Sequence, residues 1–269
     1  MLRRIIGSFL LVFSIVAVLG MAGNGGAVWL LAFFALVSQL ELIRLLEKLS
    51  GRVLALQVSV WTVTIVLGAW YLHHPYAGVW LTLVALLWML VHGIIHLSPA
   101  RLLTHLAPSL FSLLYIPFTL QFGVLLLRFS GNLWLLAWVV TVSKLGDIGG
   151  LLIGRRYGQH AFASKYSPQK TWEGFFGGVV LAAVGGLSIC ALAHLFGPFF
   201  IPFWLSIPLA LLLATIGAVA DLLESALKRL ADIKDSGKII PGIGGCLDFC
   251  DTLTLTLPTA YLTLQLLLT

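Results

Sequence analysis

Residues 203–251 read FWLSIPLALLLATIGAVADLLESALKRLADIKDSGKIIPGIGGCLDFCD. The first part is a continuous apolar run, and about 20 such residues suffice to cross a bilayer as a helix. It ends in a polar block, Glu224 to Asp251, and a further apolar span follows over 249–268. Only 10% of the chain is charged, so the crowding of charge into this block stands out. Ionisable groups at or near a bilayer are costly and are usually kept for function. Here they alternate basic and acidic and close on a glycine-rich turn and two aspartates. That composition suits metal ions and phosphates better than it suits packing.

Working outward, 60% of the 269 residues are hydrophobic and the mean hydropathy is +1.05. A soluble domain has about half apolar residues and about a quarter charged ones. The composition therefore predicts an integral membrane protein whose spans are helices. A β-barrel would show short alternating strands instead of these continuous runs. Nine spans can be drawn, at 5–22, 26–46, 53–72, 77–97, 106–127, 132–153, 174–196, 203–224 and 249–268. The fifth is interrupted by Pro108 and Pro117. The expected fold is all-α: a polytopic membrane bundle of nine helices with active-site loops in the cytoplasm. One membrane domain is expected over 1–269, with N-terminal helices in 1–131 and catalytic helices and loops in 132–269.

Charge parity supports the count. Of the 16 basic residues, 14 fall before the first span or in even-numbered loops, with Arg128 opposite and Lys144 inside span six. The positive-inside rule then places the N-terminus and the even loops in the cytoplasm, in a bacterial-type inner membrane. Arg3, Arg4 and the following apolar run weakly resemble a signal peptide, but a retained helix is the expectation. The net charge of +6 reflects this orientation bias and gives no reason to expect nucleic acid. The three cysteines make no disulfide framework. Cys246 and Cys250 flank Asp248 without a nearby histidine, so they read as small packing residues and not as zinc ligands. The seven histidines read as structural. No GxxxxGK[ST], GxSxG or HExxH motif occurs.

Eight of the ten acidic residues lie between Asp147 and Asp251. Lys144 and Asp147 are three apart and share a helix face. In GRRYGQHAFASKYSPQKTWEGFFGG, Ser167-Pro168 reads as an N-cap followed by proline in the first helical turn. Lys170, Thr171 and Glu173 would then lie at a helix N-terminus, a natural anion site. Gly174, Gly177 and Gly178 allow close approach of a helix or ligand. Asp221, Glu224, Ser225 and Lys228 form one polar stripe at helical spacing, with Arg229 beside it. Asp248 and Asp251 are again three apart. The turn Pro241-Gly242-Ile243-Gly244-Gly245 can offer backbone N–H groups to phosphate. Paired carboxylates facing a basic stripe suggest Mg²⁺ bridged to phosphate oxygens.

The stretch SALKRLADIKDSGKIIPGIGGCLDFCD resembles the signature of the phosphatidate cytidylyltransferase family, the CDP-diacylglycerol synthases. SPQKTWEGFFGG is similar to a second hallmark, and Asp147 with Gly154-Arg155 to a third. The chain is a divergent example: Ile243 stands where the family has His, Phe249 where it has Arg, and Leu151 where it has Tyr. The resemblance implies cytidylyl transfer from CTP to phosphatidate, giving CDP-diacylglycerol and pyrophosphate, by a homodimer in the membrane. It implies Mg²⁺ on Asp221 and Asp248 with Asp251 as a third or outer-shell ligand, and K⁺ as a candidate second ion. Lys228, Arg229 and Lys234 would bind phosphates. Ser167, Lys170 and Thr171 would close over nucleotide or lipid phosphate, and Asp235 would orient a lysine. Asp147, Glu173, Glu224, Ser225, Gly244 and Gly245 complete the expected substrate-binding set. Two other classes remain at this level: a relative that binds lipid or CTP without turnover, and a transporter. Transporter sites sit near the midplane, whereas these charges cluster at the cytoplasmic edge.

Overall fold

The computed structural model describes residues 2–50, 52–72, 74–163, 167–197, 201–239 and 244–268. His73, Lys165, Pro241, Gly242 and Ile243 lie outside the described residues. The elements are α1 (Leu2–Ser50), α2 (Ala55–Tyr71), α3 (Ala77–His96), the single turn α4 (Pro99–Arg101), a π-helical turn (Leu102–Leu106), α5 (Ala107–Tyr115), α6 (Pro117–Ser130), α7 (Leu133–Tyr157), β1 (Ala161–Ala163), β2 (Ser167–Thr171), α8 (Trp172–Phe196), α9 (Phe203–Leu230) and α10 (Cys246–Leu268). Among the described residues, six helical stretches are long and apolar enough to cross a membrane. The chain is an all-α integral membrane protein.

The helix boundaries differ from the nine expected spans in ways with identifiable causes. Spans one and two run together as α1, broken only at Gly23, whose φ of 54° and ψ of −138° are non-helical. Glycine visits that region without a Cβ clash. The fifth span opens into the π turn just before Pro108, because a proline ring meets the carbonyl four residues back. It breaks again at Ile116, ahead of Pro117. α2, at 17 residues, is shorter than the six. α10, the ninth expected span, is a helix but not one of the six, being rich in threonine. Thr254, Thr256 and Thr259 turn their hydroxyls onto Asp251 O, Thr252 O and Leu255 O in the same helix. These bonds satisfy the hydroxyls without water.

The chain divides into two compact units. Unit one comprises Met1–Leu125 and Leu230–Cys250. Its core is built by Leu42 and Leu45 of α1, Ile65 of α2, Met89 of α3 and Leu113 of α5, all buried. Polar ties join the helices at a few points. The Leu54 amide donates to Ser109 Oγ at 3.0 Å, and Gln57 Nε2 lies 3.0 Å from His92 Nε2.

Unit two comprises Leu126–Arg229 and Asp251–Thr269. Its organising feature is a seam of glycines between α7 and α8. A Cβ on Gly178 would lie 2.5 Å from Gly146 O, and one on Gly174 would lie 2.7 Å from Gly150 O. Small residues at such a seam let two backbones approach to van der Waals contact, the main source of helix affinity inside a membrane. Trp138, fully buried in α7, donates from Nε1 to Gly186 O of α8 at 3.0 Å and to Ser206 Oγ of α9 at 3.2 Å.

One expectation for the loop before α8 is corrected. Ser167-Pro168 does not start a helix; Ser167–Thr171 is a strand paired antiparallel with Ala161–Ala163. The helix starts at Trp172, and the N-cap is Thr171, whose Oγ1 accepts from the Gly174 amide at 3.2 Å. Proline is tolerated at the edge of a two-stranded ribbon, which removes the reason to place it in a helix. Phe162 seals the hairpin against Trp172 and Phe175, with ring centroids 4.5 and 5.6 Å away.

The glycine seam yields a direct test. Gly178→Ala should lower the thermal midpoint in detergent by the equivalent of about 1–3 kcal/mol, since over-packing a close seam costs that much. Gly20→Ala, where a Cβ meets nothing within 4 Å, should leave the midpoint unchanged or slightly raised. Equal midpoints for both variants would contradict the seam.

Candidate active site

Unit two gathers an ionic cluster from four elements. α7 supplies Lys144 and Asp147, one helical turn apart, with Nζ 2.9 Å from Asp147 Oδ2. The same ammonium lies 3.5 Å from Asp251 Oδ1 in α10. β2 supplies Lys170, whose Nζ is 2.7 Å from Asp221 Oδ2 in α9. One turn further along α9, Glu224 pairs with Lys228 at 2.5 Å, four residues on. Thr252 Oγ1 donates to Asp147 Oδ2 at 3.3 Å, and the Thr252 amide donates to Asp251 Oδ1 at 2.6 Å. Ser225 Oγ donates to Asp221 Oδ1 at 3.4 Å.

Burial makes this cluster chemically unusual. Glu224 has no exposed surface and Asp251 is 6% exposed, while Asp221 is half-buried. Carboxylates out of water need a positive partner or must give up their charge. The set holds four carboxylates (Asp147, Asp221, Glu224, Asp251) and three ammonium groups (Lys144, Lys170, Lys228), which leaves one formal negative charge. Carboxylate oxygens of Asp221, Glu224 and Asp251 all lie within 4.8 Å of one another. Opposite ligands of Mg²⁺ stand about 4.2 Å apart, so modest side-chain rotation brings these three into one shell. An all-oxygen donor set favours a hard divalent cation. The acidic trio fits such an ion.

The other expected site residues fall in different places. Glu173 faces the hairpin: it accepts from the Gln159 and His160 amides at 3.1 and 3.3 Å, and its Oε1 lies 2.6 Å from His160 Nδ1. Thr171 is occupied as the cap of α8. Ser167 opens β2, and Arg229 lies in the last turn of α9. The charged loop 231–239 carries Lys234 and Asp235 in unit one. Asp248, expected to ligate metal, sits in the first turn of α10 and is engaged by backbone. Its carboxylate accepts from the Ser236 amide at 3.1 Å and from the Gly245 amide at 2.6 Å. The Gly245 N–H, expected to serve phosphate, thus serves a carboxylate. Gly244 has a φ of 124°, and a Cβ there would lie 2.6 Å from Asp248 Oδ2, so both conformation and space require glycine.

Two of the departures noted in the signature take a structural meaning. Phe249 packs its ring 5.4 Å from that of Phe34 in α1. Leu151 lies on the exposed side of α7. One polar residue escaped the sequence reading altogether. Glu41, towards the C-terminal end of α1, is 1% exposed and accepts from the Leu247 amide at 2.8 Å and from Ser236 Oγ at 3.1 Å. An acid inside an apolar span was a usable signal.

The sequence profile of the Cytidylyltransferase family matches residues 2–267. The chain belongs to this family. Within it, the chain is 32% identical over 171 residues to a protein of Mycobacterium tuberculosis named phosphatidate cytidylyltransferase, an overlap of 63% of this chain and 50% of that one. It is 39% identical over 120 residues to the Bacillus subtilis protein of the same name, covering 45% of this chain and 43% of the relative. With the Brucella suis protein of that name the identity is 40% over 116 residues, 43% of this chain and 41% of the relative. The chain thus spans about half the length of the curated relatives it matches.

Cation binding at the trio is measurable without substrate. Mg²⁺ or Mn²⁺ should raise the thermal midpoint of the purified protein, by the equivalent of about 2.7 kcal/mol at a hundred times the dissociation constant. The rise should disappear with a chelator and in Glu224→Gln and Asp251→Asn. An undiminished rise in both variants would place the ion elsewhere.

Proposed function

We propose that this protein transfers the cytidylyl group of CTP to phosphatidate, releasing pyrophosphate and forming CDP-diacylglycerol. The observation that carries the reading is the acidic trio of half-buried Asp221 and buried Glu224 and Asp251, bracketed by Lys144, Lys170 and Lys228, in a membrane protein of the Cytidylyltransferase family. The names of the relatives supply the acceptor class.

The chemistry explains the need for such a cluster. A phosphate oxygen of the lipid attacks the α-phosphorus of CTP, and the bond from that phosphorus to the bridging oxygen of the β-phosphate breaks. The nucleophile is already ionised near neutral pH, so no protein base is required. The obstacle is bringing two polyanions together, and positioning with charge neutralisation lowers it. Asp221, Glu224 and Asp251 would hold Mg²⁺, whose charge polarises phosphate oxygens when bound. Lys144 holds Asp147 and Asp251 in register. Lys170 and Lys228, each paired with a carboxylate of the site, are the ammonium groups that phosphate oxygens can recruit. Arg229 adds positive charge for phosphate, and the family resemblance gives Lys234 a phosphate-binding role. Asp248 serves the turn before α10 through its two backbone bonds.

The family resemblance also supports a homodimer in the inner membrane, with the active site at the cytoplasmic edge. Phe249, committed to Phe34, leaves an apolar group where the family signature has arginine. This favours including other phospholipid-type acceptors in the assay.

The test is CTP-dependent transfer by purified protein in detergent micelles, read as pyrophosphate and labelled liponucleotide. Wild type should turn over with Mg²⁺ and stop on chelation. Asp221→Ala should lose at least about a thousandfold, the scale of removing a main source of charge stabilisation. Absence of product with every phospholipid acceptor, from protein that still binds Mg²⁺, would reject the reading.

A further inference from the structure

We propose that Glu41 is a positioning residue that seats the charged segment 231–239 and the first turn of α10 upon α1. The inference rests on the proposed function only in giving that loop phosphate as its ligand; the seating itself is geometric.

Glu41 Oε2 receives two hydrogen bonds, from the Leu247 amide at 2.8 Å and from Ser236 Oγ at 3.1 Å. One carboxylate therefore ties Ser236 to the first turn of α10. The Leu247 amide is among the first N–H groups of α10, which have no partner within the helix, and a carboxylate there meets the positive end of the helix dipole. Asp248 repeats the device one residue later, taking the Ser236 and Gly245 amides. Glu41 and Asp248 together hold Ser236 by its hydroxyl and its amide.

The glycines on either side of the turn fit this arrangement closely. A Cβ on Gly237 would overlap Glu41 Oε1, and one on Gly245 would overlap Ser236 Oγ and Glu41 Oε2 and press on the Gly237 amide nitrogen. Glycine at both positions lets the Glu41 carboxylate and the Ser236 hydroxyl lie where they do. Flanking Glu41 with Leu42 and Leu45, both fully buried, fixes its helix in the core of unit one. The loop that carries Lys234, Asp235 and Lys238 is thereby given a rigid footing.

Hydrogen exchange on the detergent-solubilised, substrate-free protein tests the seating. Glu41→Ala should speed exchange of the 244–248 amides by about tenfold or more, as expected when a local opening becomes easier. Glu41→Gln, which retains an oxygen able to accept both bonds, should stay within about threefold of wild type. Gly237→Ala should loosen the same amides in wild type yet add clearly less in Glu41→Ala, because the nearest clashing atoms, those of the Glu41 carboxylate, are gone. Ser236→Ala removes one of the two bonds and carries the same test at smaller amplitude if Glu41→Ala fails to insert. Unchanged exchange in folded Glu41→Ala, damage in Glu41→Gln equal to that in Glu41→Ala, or additive effects of Gly237→Ala would each overturn the proposal. An exchange pattern as expected in a protein that never consumes CTP would keep the seating and reject the proposed function instead.

Discussion

A carboxylate taken out of water must find positive charge or N–H donors close by, and that constraint shapes both units of this protein. In unit two, Glu224 and Asp251 are buried and Asp221 and Asp147 partly so. Each is met by a lysine within about one hydrogen-bond length or a little more. The glycine seam between α7 and α8, the cap at Thr171 and the hairpin that carries Lys170 matter because they bring those lysines to the acids. Packing here is the means, and charge matching is the end it serves.

Unit one answers the same constraint with backbone. Glu41 and Asp248 take amide protons from Ser236, Gly245 and Leu247, together with the Ser236 hydroxyl. These donors are mostly main-chain groups that cannot move far, which suits the carboxylates to holding the backbone around 236–247. The acids of unit two are held by flexible ammonium groups, which can exchange partners when a cation or a phosphate arrives.

This distinction reorders the signature. Asp248 looked equivalent to Asp251 because both sit at helical spacing beside a glycine turn. Their partners differ: Asp248 accepts from the Ser236 and Gly245 amides, whereas Asp251 accepts from the Thr252 amide and also faces the ammonium of Lys144. Glu224 looked like one member of a polar stripe, yet its complete burial beside Asp221 and Asp251 makes it the third member of the cation-compatible trio. Phe249, an apolar residue in a polar motif, is used to pack on Phe34.

Much of this was legible in the residues themselves. Continuous apolar runs dictated membrane helices, because a backbone in lipid must satisfy its own hydrogen bonds. The glycine before the second run marked the break at Gly23, and the prolines marked the interrupted segment around the π turn. The i, i+3 and i, i+4 spacings correctly paired Lys144 with Asp147 and Glu224 with Lys228, since helix geometry alone fixes those neighbours. Tertiary structure decided the rest. Lys170 reaches Asp221 only through the hairpin, which local Ser-Pro chemistry disguised as a helix start. Asp251 joins Asp221 and Glu224, and Glu41 meets Leu247, across long stretches of chain. Spacing along one helix is set by the backbone, whereas contacts between distant segments depend on how the whole chain packs, and no local pattern encodes them.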